Sequence, residues 1–159
     1  MDGLKLTPED RRDTPDSEGM MKKFLETKRY LYRVKDARRR VQILERRIEY
    51  HRAAIETYAD DGSRFAGRIA HDIERIQEEL GEAERKLVQA TMDVTDLVGQ
   101  LPDVNQQMVI IRRYVDMQTW EDISAGMGMG VRRVQKLHGR ALPVLEGILK
   151  ESGRIDDRQ

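Results

Sequence analysis

A group of basic and amide side chains between residues 132 and 140 has the clearest capacity for chemistry in this chain. It comprises Arg132, Arg133, Gln135, Lys136 and Arg140, and no acidic residue lies between them. Guanidinium and amide groups can make paired hydrogen bonds to the edges of guanine and adenine, and cationic side chains bind phosphates. The group therefore predicts contact with nucleic acid.

The surrounding residues, 119–142, have the pattern of two short helices joined by a sharp turn. Thr119 followed by Asp122 is typical of a capped helix start. Gly128 lies where the chain must turn, and a left-handed turn conformation is least strained in glycine, which has no Cβ. The apolar positions of the two helices are Ile123, Met127, Val134 and Leu137. This layout predicts a helix-turn-helix whose second helix starts near Gly130 and carries the basic group.

A third helix is predicted just before this motif, from Pro102 to Val115. Its apolar residues are Val104, Met108, Ile111 and Val115, at steps of 4, 3 and 4, which place them on one face. Pro102 is tolerated in a first helical turn, because its missing N–H would have no partner there. Trp120 is predicted to pack between this helix and the motif.

The stretch from Arg113 to Leu142 resembles region 4 of sigma-70-type transcription factors. It is more closely similar to a family of short phage-borne proteins like the ArpU and RinA regulators of phage late genes. The residues that carry the resemblance are Arg113-Tyr114, Thr119-Trp120-Glu121-Asp122-Ile123, Met127-Gly128, Val134 and Leu137-His138-Gly139-Arg140-Ala141-Leu142. Two positions depart from the family pattern, since Gly130 replaces a capping serine and Ser124 replaces alanine. The resemblance implies a bacterial or prophage transcription regulator that places its second motif helix in a major groove.

Roles for individual residues follow from the usual docking of this motif, in which the start of the second helix faces base edges. The residues expected to read bases are Arg132, Gln135 and Lys136. The residues expected to contact phosphates are Arg133, Arg140 and Arg113, and Thr119 at the start of the first motif helix is counted with the DNA-binding residues.

Residues 24–101 carry a second pattern, a long apolar stripe with one interruption. The first arm has Tyr30, Val34, Ala37, Val41, Leu44, Ile48, His51, Ile55 and Tyr58, and the second has Ile69, Ile73, Ile76, Leu80, Ala83, Leu87, Ala90, Val94, Leu97 and Leu101. Steps of 3 and 4 are typical of a coiled-coil seam. The short polar break YADDGS favours an antiparallel hairpin. Parallel dimerisation of each arm is the competing interpretation, because Val and Ile recur along the seam of the first arm.

The net charge of the chain is zero, but its charges are unevenly distributed. Residues 22–58 have 12 basic and 5 acidic side chains, a net +7, whereas residues 64–101 have 5 and 8, a net −3. These opposite charges favour pairing of the two arms. Local basic character is enough for DNA binding, because charges act mainly within roughly 8–10 Å. Arg38, Arg39 and Arg40 are interpreted as a solvated, partner-facing side of the hairpin.

Composition and motifs argue against several other classes of protein. With 36% charged and 5% aromatic residues, a small domain with an extension is favoured over one compact core. Apolar runs are too short for a transmembrane helix, residues 1–13 lack the core of a signal peptide, and the absence of cysteine fits a reducing cytoplasm. His51, His71 and His138 have no partner at ligand spacing. Since no nucleophile–base pair is recognisable either, we predict no metal, no cofactor and no enzymatic activity.

The predicted fold is all-α, with a long antiparallel helical hairpin or coiled coil in residues 20–100. A three-helix, helix-turn-helix domain of the sigma region 4 type follows in residues 101–149. Residues 1–19 are predicted to be a disordered lead, and residues 150–159 a flexible tail. Pro143 is expected to kink or restart the last helix, because proline removes a helical hydrogen bond.

The expected function is sequence-specific binding of double-stranded DNA in transcriptional control, by a phage- or prophage-encoded protein in the cytoplasm of a bacterial host. The hairpin would engage RNA polymerase, another protein or a second copy of the chain in a homodimer, and no membrane. Two alternatives stay open. One is a coiled-coil adaptor or structural protein that does not bind DNA, and the other is a packaging protein, like a small terminase subunit, that recognises phage DNA.

Overall fold

The computed structural model describes residues 23–59 and 64–156, and all of its regular elements are helical. In chain order they are α1 (Leu25–Tyr58), α2 (Arg64–Val98), α3 (Val104–Ile110) with a π-helical continuation (Ile111–Val115), α4 (Trp120–Met127) and α5 (Val131–Glu151). No residue in the described ranges lies in a β-strand. The predicted all-α class is therefore confirmed. The predicted disordered lead, residues 1–19, lies outside the described residues.

The two long helices α1 and α2 pack along each other in opposite directions. The start of α1 lies beside the end of α2, where Arg33 and Asp93 form an ion pair with a separation of 3.0 Å. Further along, Arg40 and Arg47 both reach Glu79, at 3.3 and 3.7 Å. The prediction that two long helices pair within one chain is confirmed, and their direction is antiparallel.

The apolar seam predicted from the sequence forms the contact between α1 and α2. Its middle is a cluster of Val41, Leu44, Ile48, Ile76 and Ala83. Leu44 is completely buried, whereas Leu87 on the opposite arm is half-buried. The seam opens at its far end, where Tyr58 is exposed and meets Phe65 edge to face at 5.4 Å. Spacings of three and four residues produce this seam because such residues share one helix face.

The largest apolar core joins the hairpin to the C-terminal helices. Its members include Tyr30, Leu31 and Val34 of α1, Ala90, Val94 and Leu97 of α2, and Ile110, Tyr114, Ala141, Leu142, Leu145 and Leu149 from later in the chain. Val98 and Leu101, which flank the connection between α2 and α3, are buried in the same core. The predicted boundary between residues 100 and 101 therefore lies within a packed region.

Helix α3 begins after Pro102 rather than at it. Asp103 is the N-cap, and its carboxylate accepts hydrogen bonds from the backbone N–H groups of Asn105 at 2.8 Å and Gln106 at 3.2 Å. Aspartate is among the strongest N-cap residues, because it satisfies N–H groups that have no partner within the helix. The carboxylate therefore sets the helix start, and the proline precedes it.

A π-helical turn from Ile111 to Val115 ends this segment. Within it the N–H group of Asp116 donates to the carbonyl oxygen of Ile111 at 3.0 Å. A π-helical turn is one residue wider than an α-helical turn, and here the adjacent Tyr114 and Val115 are both buried. Met117 then adopts a positive φ of 58° and leads the chain towards α4.

Helix α5 runs from Val131 to Glu151 through Pro143, so the proline does not restart the helix. Pro143 itself is exposed. On both sides of it the helix buries Ala141, Leu142, Leu145 and Leu149. An internal proline costs about 3 kcal/mol, whereas full burial of each leucine stabilises by roughly 1.5–3 kcal/mol. The stabilisation from burying the apolar face on both sides of Pro143 therefore exceeds the cost of the proline, and the helix continues.

The residues after α5 fold back onto the hairpin. Nη1 of Arg154 donates to the hydroxyl group of Tyr30 at 2.8 Å, and Ile155 packs against the largest core. Burial acts to raise the pKa of nearby Asp93, but hydrogen bonds and the guanidinium groups of Arg33 and Arg154 lower it overall. The described part of the predicted flexible tail, residues 150–156, therefore contacts the hairpin.

Candidate nucleic-acid interface

The sharp turn predicted at Gly128 joins α4 to α5. Gly128 has φ 63° and ψ 34°, which is the left-handed conformation. Thr119 caps the start of α4, where its Oγ1 accepts a hydrogen bond of 3.1 Å from the N–H group of Asp122. Ser124 adds a contact that the sequence did not indicate, because its hydroxyl group donates to the carbonyl oxygen of Met129 across the turn. Local residues thus fix the shape of this helix pair.

A second, smaller core sets how α4 and α5 cross beneath α3. Val109, Ile123 and Val134 are completely buried in it, and Trp120, Met127, Met129 and Leu137 pack around them. The apolar positions predicted for the motif, Ile123, Met127, Val134 and Leu137, all belong to this core. Because these residues turn one face of α5 inward, the opposite face is directed to solvent.

Every exposed side chain between residues 131 and 140 of α5 is basic. The residues predicted to contact DNA on this helix are Arg132, Arg133, Lys136 and Arg140, all exposed, and Gln135, which is half-buried. Arg132, Lys136 and Arg140 follow at intervals of four and form one stripe about 12 Å long, similar to the width of the DNA major groove. Within the described chain, Arg133, Lys136 and Arg140 have no ion-pair partner.

Behind this stripe, His138 is buried in an aromatic environment. It is 5% exposed, its Nε2 lies 2.7 Å from the hydroxyl oxygen of Tyr114, and Trp120 meets it edge to face at 5.0 Å. Burial lowers the pKa of His138 to about 4, and the charges of Lys28 and Arg113 act in the same direction. Burial also raises the pKa of Tyr114. Both groups are therefore neutral near neutral pH, and their contact holds α5 against the π-helical continuation of α3.

Arg113, a predicted phosphate contact, lies in the π-helical continuation of α3, and its side chain packs against the start of α4. Its guanidinium group is 4.3 Å from the centre of the Trp120 ring, and its Nη1 donates to the carbonyl oxygen of Gln118 at 3.1 Å. These contacts hold the side chain in one position, beside the entry to Thr119. The structure thus separates the predicted residues into those on α5 and a smaller pair, Arg113 beside the start of α4 and Thr119 at its N-cap.

Sequence reasoning missed a close contact between Arg112 and Gly126. A Cβ atom at position 126 would collide with the Arg112 guanidinium group. That group donates from Nη1 to Oε1 of Gln118 at 3.3 Å, and no hydrogen-bond partner for its buried Nε lies in the described chain. A larger residue at position 126 would therefore require the Arg112 side chain to shift. Nothing in the local sequence indicates this contact, because the neighbour belongs to another helix.

A small cavity, termed the basic notch below, opens where the hairpin meets the start of α4. It has a volume of about 100 Å³ and is lined by Tyr32, Lys35, Arg113, Tyr114, Met117 and Gln118. Tyr32 of α1 packs edge to face on Tyr114, with ring centres 5.3 Å apart. The notch therefore places Lys35, a cation of the hairpin, in the same cavity as Arg113. Gln118, which also lines the notch, immediately precedes Thr119 in the chain.

Residues 23–59 and 64–156 contain neither a cluster of metal-binding side chains nor a membrane-spanning helix. No group of three or more His, Cys, Asp or Glu side chains is arranged there to hold a metal ion. None of the helices in these ranges combines the length and apolar character that crossing a lipid bilayer requires.

The chain matches no protein-family model, and comparisons with curated proteins and with solved structures likewise find no match.

Proposed function

We propose that this chain is a sequence-specific double-stranded DNA-binding protein that acts in transcriptional control. The observation that carries the proposal is the wholly basic exposed face of α5 between residues 131 and 140. Helix α5 would lie in the major groove and α4 across the backbone, as in helix-turn-helix proteins in general. The transcriptional role, the phage or prophage origin and the bacterial cytoplasm rest on the resemblance of residues 113–142 to region 4-like regulators.

The proposed contacts divide by distance from the start of α5. Arg132, Gln135 and Lys136 would meet base edges, because the first turns of a recognition helix enter the groove most deeply. The residues that would bind phosphates are Arg133 and Arg140 on α5, Arg113 at the end of α3 and Thr119 at the start of α4. Fixed guanidinium groups such as that of Arg113 suit phosphate binding, since little side-chain freedom is lost on contact.

The test uses the full chain, because α5 shares its core with the hairpin. A fragment of residues 102–149 would expose Ala141, Leu142 and Leu145, which pack on the hairpin helices. Duplexes enriched by the protein from a random pool would define a preferred site. Fluorescence anisotropy would then measure affinity for that duplex and a scrambled one at about 50 and 200 mM salt.

Two variants separate base contacts from phosphate contacts. Arg132→Ala is expected to weaken binding to the preferred duplex by about 1–3 kcal/mol and to relax the preference at one base pair. Arg140→Ala is expected to weaken both duplexes alike and to lower the salt slope by about one. Arg75→Ala, which removes the same charge from an exposed position on α2, is the matched control and should change neither. Unchanged affinity in both test variants would contradict the proposal and favour the protein-binding adaptor.

The identity of the bound sites decides between regulation and packaging. Mapping of bound DNA in the host is expected to find promoters if the chain is a regulator. Binding confined to the start of DNA packaging would contradict the regulatory role while leaving DNA binding intact. Co-purification with RNA polymerase and sedimentation velocity would test the two further proposed partners, the polymerase and a second copy of the chain.

A further inference from the structure

The side of α1 that faces away from α2 forms a separate surface, termed the outer face below. Its members are Tyr32, Lys35, Asp36, Arg39, Ile43, Arg46 and Tyr50. Tyr32, Arg39, Ile43, Arg46 and Tyr50 follow at steps of 7, 4, 3 and 4, which align them along one side of a helix. Tyr32, Ile43 and Tyr50 are exposed despite being large and partly apolar, and Arg39 and Arg46 are exposed as well. At 1.5 Å per residue the outer face is about 27 Å long.

The outer face has a net positive charge, because Lys35, Arg39 and Arg46 outnumber Asp36, and three other arginines of α1 are engaged across the hairpin. Arg33, Arg40 and Arg47 form ion pairs with carboxylates of α2. Arg39 and Arg46 have no ion-pair partner within the described chain. Pairing with α2 therefore distinguishes Arg33, Arg40 and Arg47, which are engaged within the hairpin, from the exposed Arg39 and Arg46, which a partner could contact.

The opposite side of the hairpin has no such excess of positive charge. Apart from Glu79, which pairs with α1, the exposed charged residues of α2 are mixed: Glu74, Glu78, Glu82, Glu84 and Asp96 are acidic, and Arg64, Arg68, Arg75, Arg85 and Lys86 are basic. A polyanion would therefore be attracted more strongly to the outer face of α1 than to the exposed side of α2.

The outer face is continuous with the proposed DNA-binding surface through the basic notch. Tyr32 and Lys35, at the start of the outer face, line the notch together with Arg113. Met117 and Gln118, also in its wall, lead directly into Thr119, the N-cap of α4. In helix-turn-helix complexes the first motif helix crosses the DNA backbone. The outer face therefore begins at the point where the motif would meet phosphates.

We infer that the outer face of α1 binds the phosphate backbone of DNA that flanks the site read by α5. This inference rests on the function proposed above. Lys35, Arg39 and Arg46 would supply the charge, and the hydroxyl groups of Tyr32 and Tyr50 would donate to phosphate oxygens, as tyrosine commonly does. The hairpin thus lengthens the contact with DNA without reading its sequence, so affinity increases while base preference stays with α5.

The experiment compares two triple variants of the full chain that remove equal charge. Lys35→Ala with Arg39→Ala and Arg46→Ala clears the outer face. The matched control replaces Arg68, Arg75 and Arg85, which are exposed on α2, with alanine. The probes are the preferred duplex cut to about 12 base pairs and the same duplex extended by about one helical turn, or 10 base pairs, on each side.

Wild type is expected to bind the extended duplex more tightly and with a steeper salt dependence than the short one. The outer-face variant should bind the extended duplex no more tightly than the short one. Its salt slope on the extended duplex should be lower by about 2–3, since each phosphate contact contributes about 0.9 to the slope. Its preference for the selected over the scrambled site should persist. The α2 control should keep the tighter binding to the extended duplex and the steeper salt slope of wild type. Urea unfolding of both variants would confirm that they fold as wild type does.

Three results would overturn the inference, and they are distinguishable. If wild type binds the short duplex specifically but the two triple variants have equal salt slopes, the outer face does not contact DNA, although the proposed function stands. If wild type binds no duplex even at low salt, the proposed function fails and the inference fails with it. Self-association of wild type that only the outer-face variant abolishes, with an unchanged salt slope, would instead assign this face to a second copy of the chain.

Discussion

Burial of His138 should make the folded protein less stable in acid. The unfolded chain binds a proton there below the ordinary pKa of 6.5, whereas burial in the folded chain lowers the pKa to about 4. Between these two values the unfolded state holds more protons than the folded state, so the free energy of unfolding falls as the pH falls. Above about pH 6.5 the imidazole is neutral in both states, and this contribution vanishes.

The size of the effect follows from the difference between the two pKa values. One pKa unit corresponds to about 1.4 kcal/mol, so the fall from 6.5 to about 4 gives a limiting loss of about 3 kcal/mol. By about pH 5 the loss should be about 2 kcal/mol. A domain of this kind is stable by only about 5–15 kcal/mol. The change is therefore large enough to measure by chemical unfolding.

The assay is urea unfolding followed by far-UV circular dichroism at a series of pH values. His138→Gln removes the titrating group and keeps an amide that can pair with the Tyr114 hydroxyl group. Carboxylates titrate in both proteins, so the difference between the two curves isolates His138. Wild type should lose about 2 kcal/mol more than His138→Gln between about pH 7 and pH 5. His71→Gln, at an exposed position, controls for the loss of an imidazole. Parallel curves for wild type and His138→Gln would refute the reasoning.

Four further substitutions test the packing and the turn. Leu44→Ala should reduce the free energy of unfolding by about 2–4 kcal/mol, because Leu44 is completely buried in the seam. Ile43→Ala, at its exposed neighbour, should change it by less than about 0.5 kcal/mol, and equal losses in these two variants would contradict the described seam. Gly128→Ala should lower the melting temperature, since φ is 63° there and this conformation costs other residues about 1–2 kcal/mol. Gly130→Ser should raise the melting temperature by adding a side-chain cap worth a few tenths of a kcal/mol. The backbone of Gly130, with φ −65° and ψ 150°, suits an N-cap, and no atom lies within 4 Å of the added Cβ. A lower melting temperature would argue against a simple capping role.

The sequence alone determined the features that depend on residues a few positions apart. The cap at Thr119 and the turn at Gly128 are properties of single short segments, and both occur where the sequence predicts them. The seam of the hairpin is equally local in origin, because spacings of three and four place side chains on one side of any helix. Leu44 and Val134 could therefore be recognised as buried before their partners were known.

The tertiary structure decided which charged residues are available to a partner. Arg39, Arg40 and Arg38 are adjacent in the chain, yet Arg40 pairs with Glu79 whereas Arg39 is exposed without an ion pair in the described chain. The interpretation of the three as one solvated side was therefore too coarse. Such a division cannot be read from composition, because it depends on the register in which α2 lies along α1.

Burial of polar groups and the continuity of α5 were also decided by long-range contacts. His138 meets Tyr114, 24 residues away, and Arg33 meets Asp93, 60 residues away. Pro143 is a local signal for a helix break, but the core that spans it comes from four separate helices and holds α5 intact. Sequence patterns specify which face of each helix is apolar. The pairing of those faces sets the protonation of His138, the position of Arg113 and the exposed stripe on α5, because each depends on neighbours supplied by other helices.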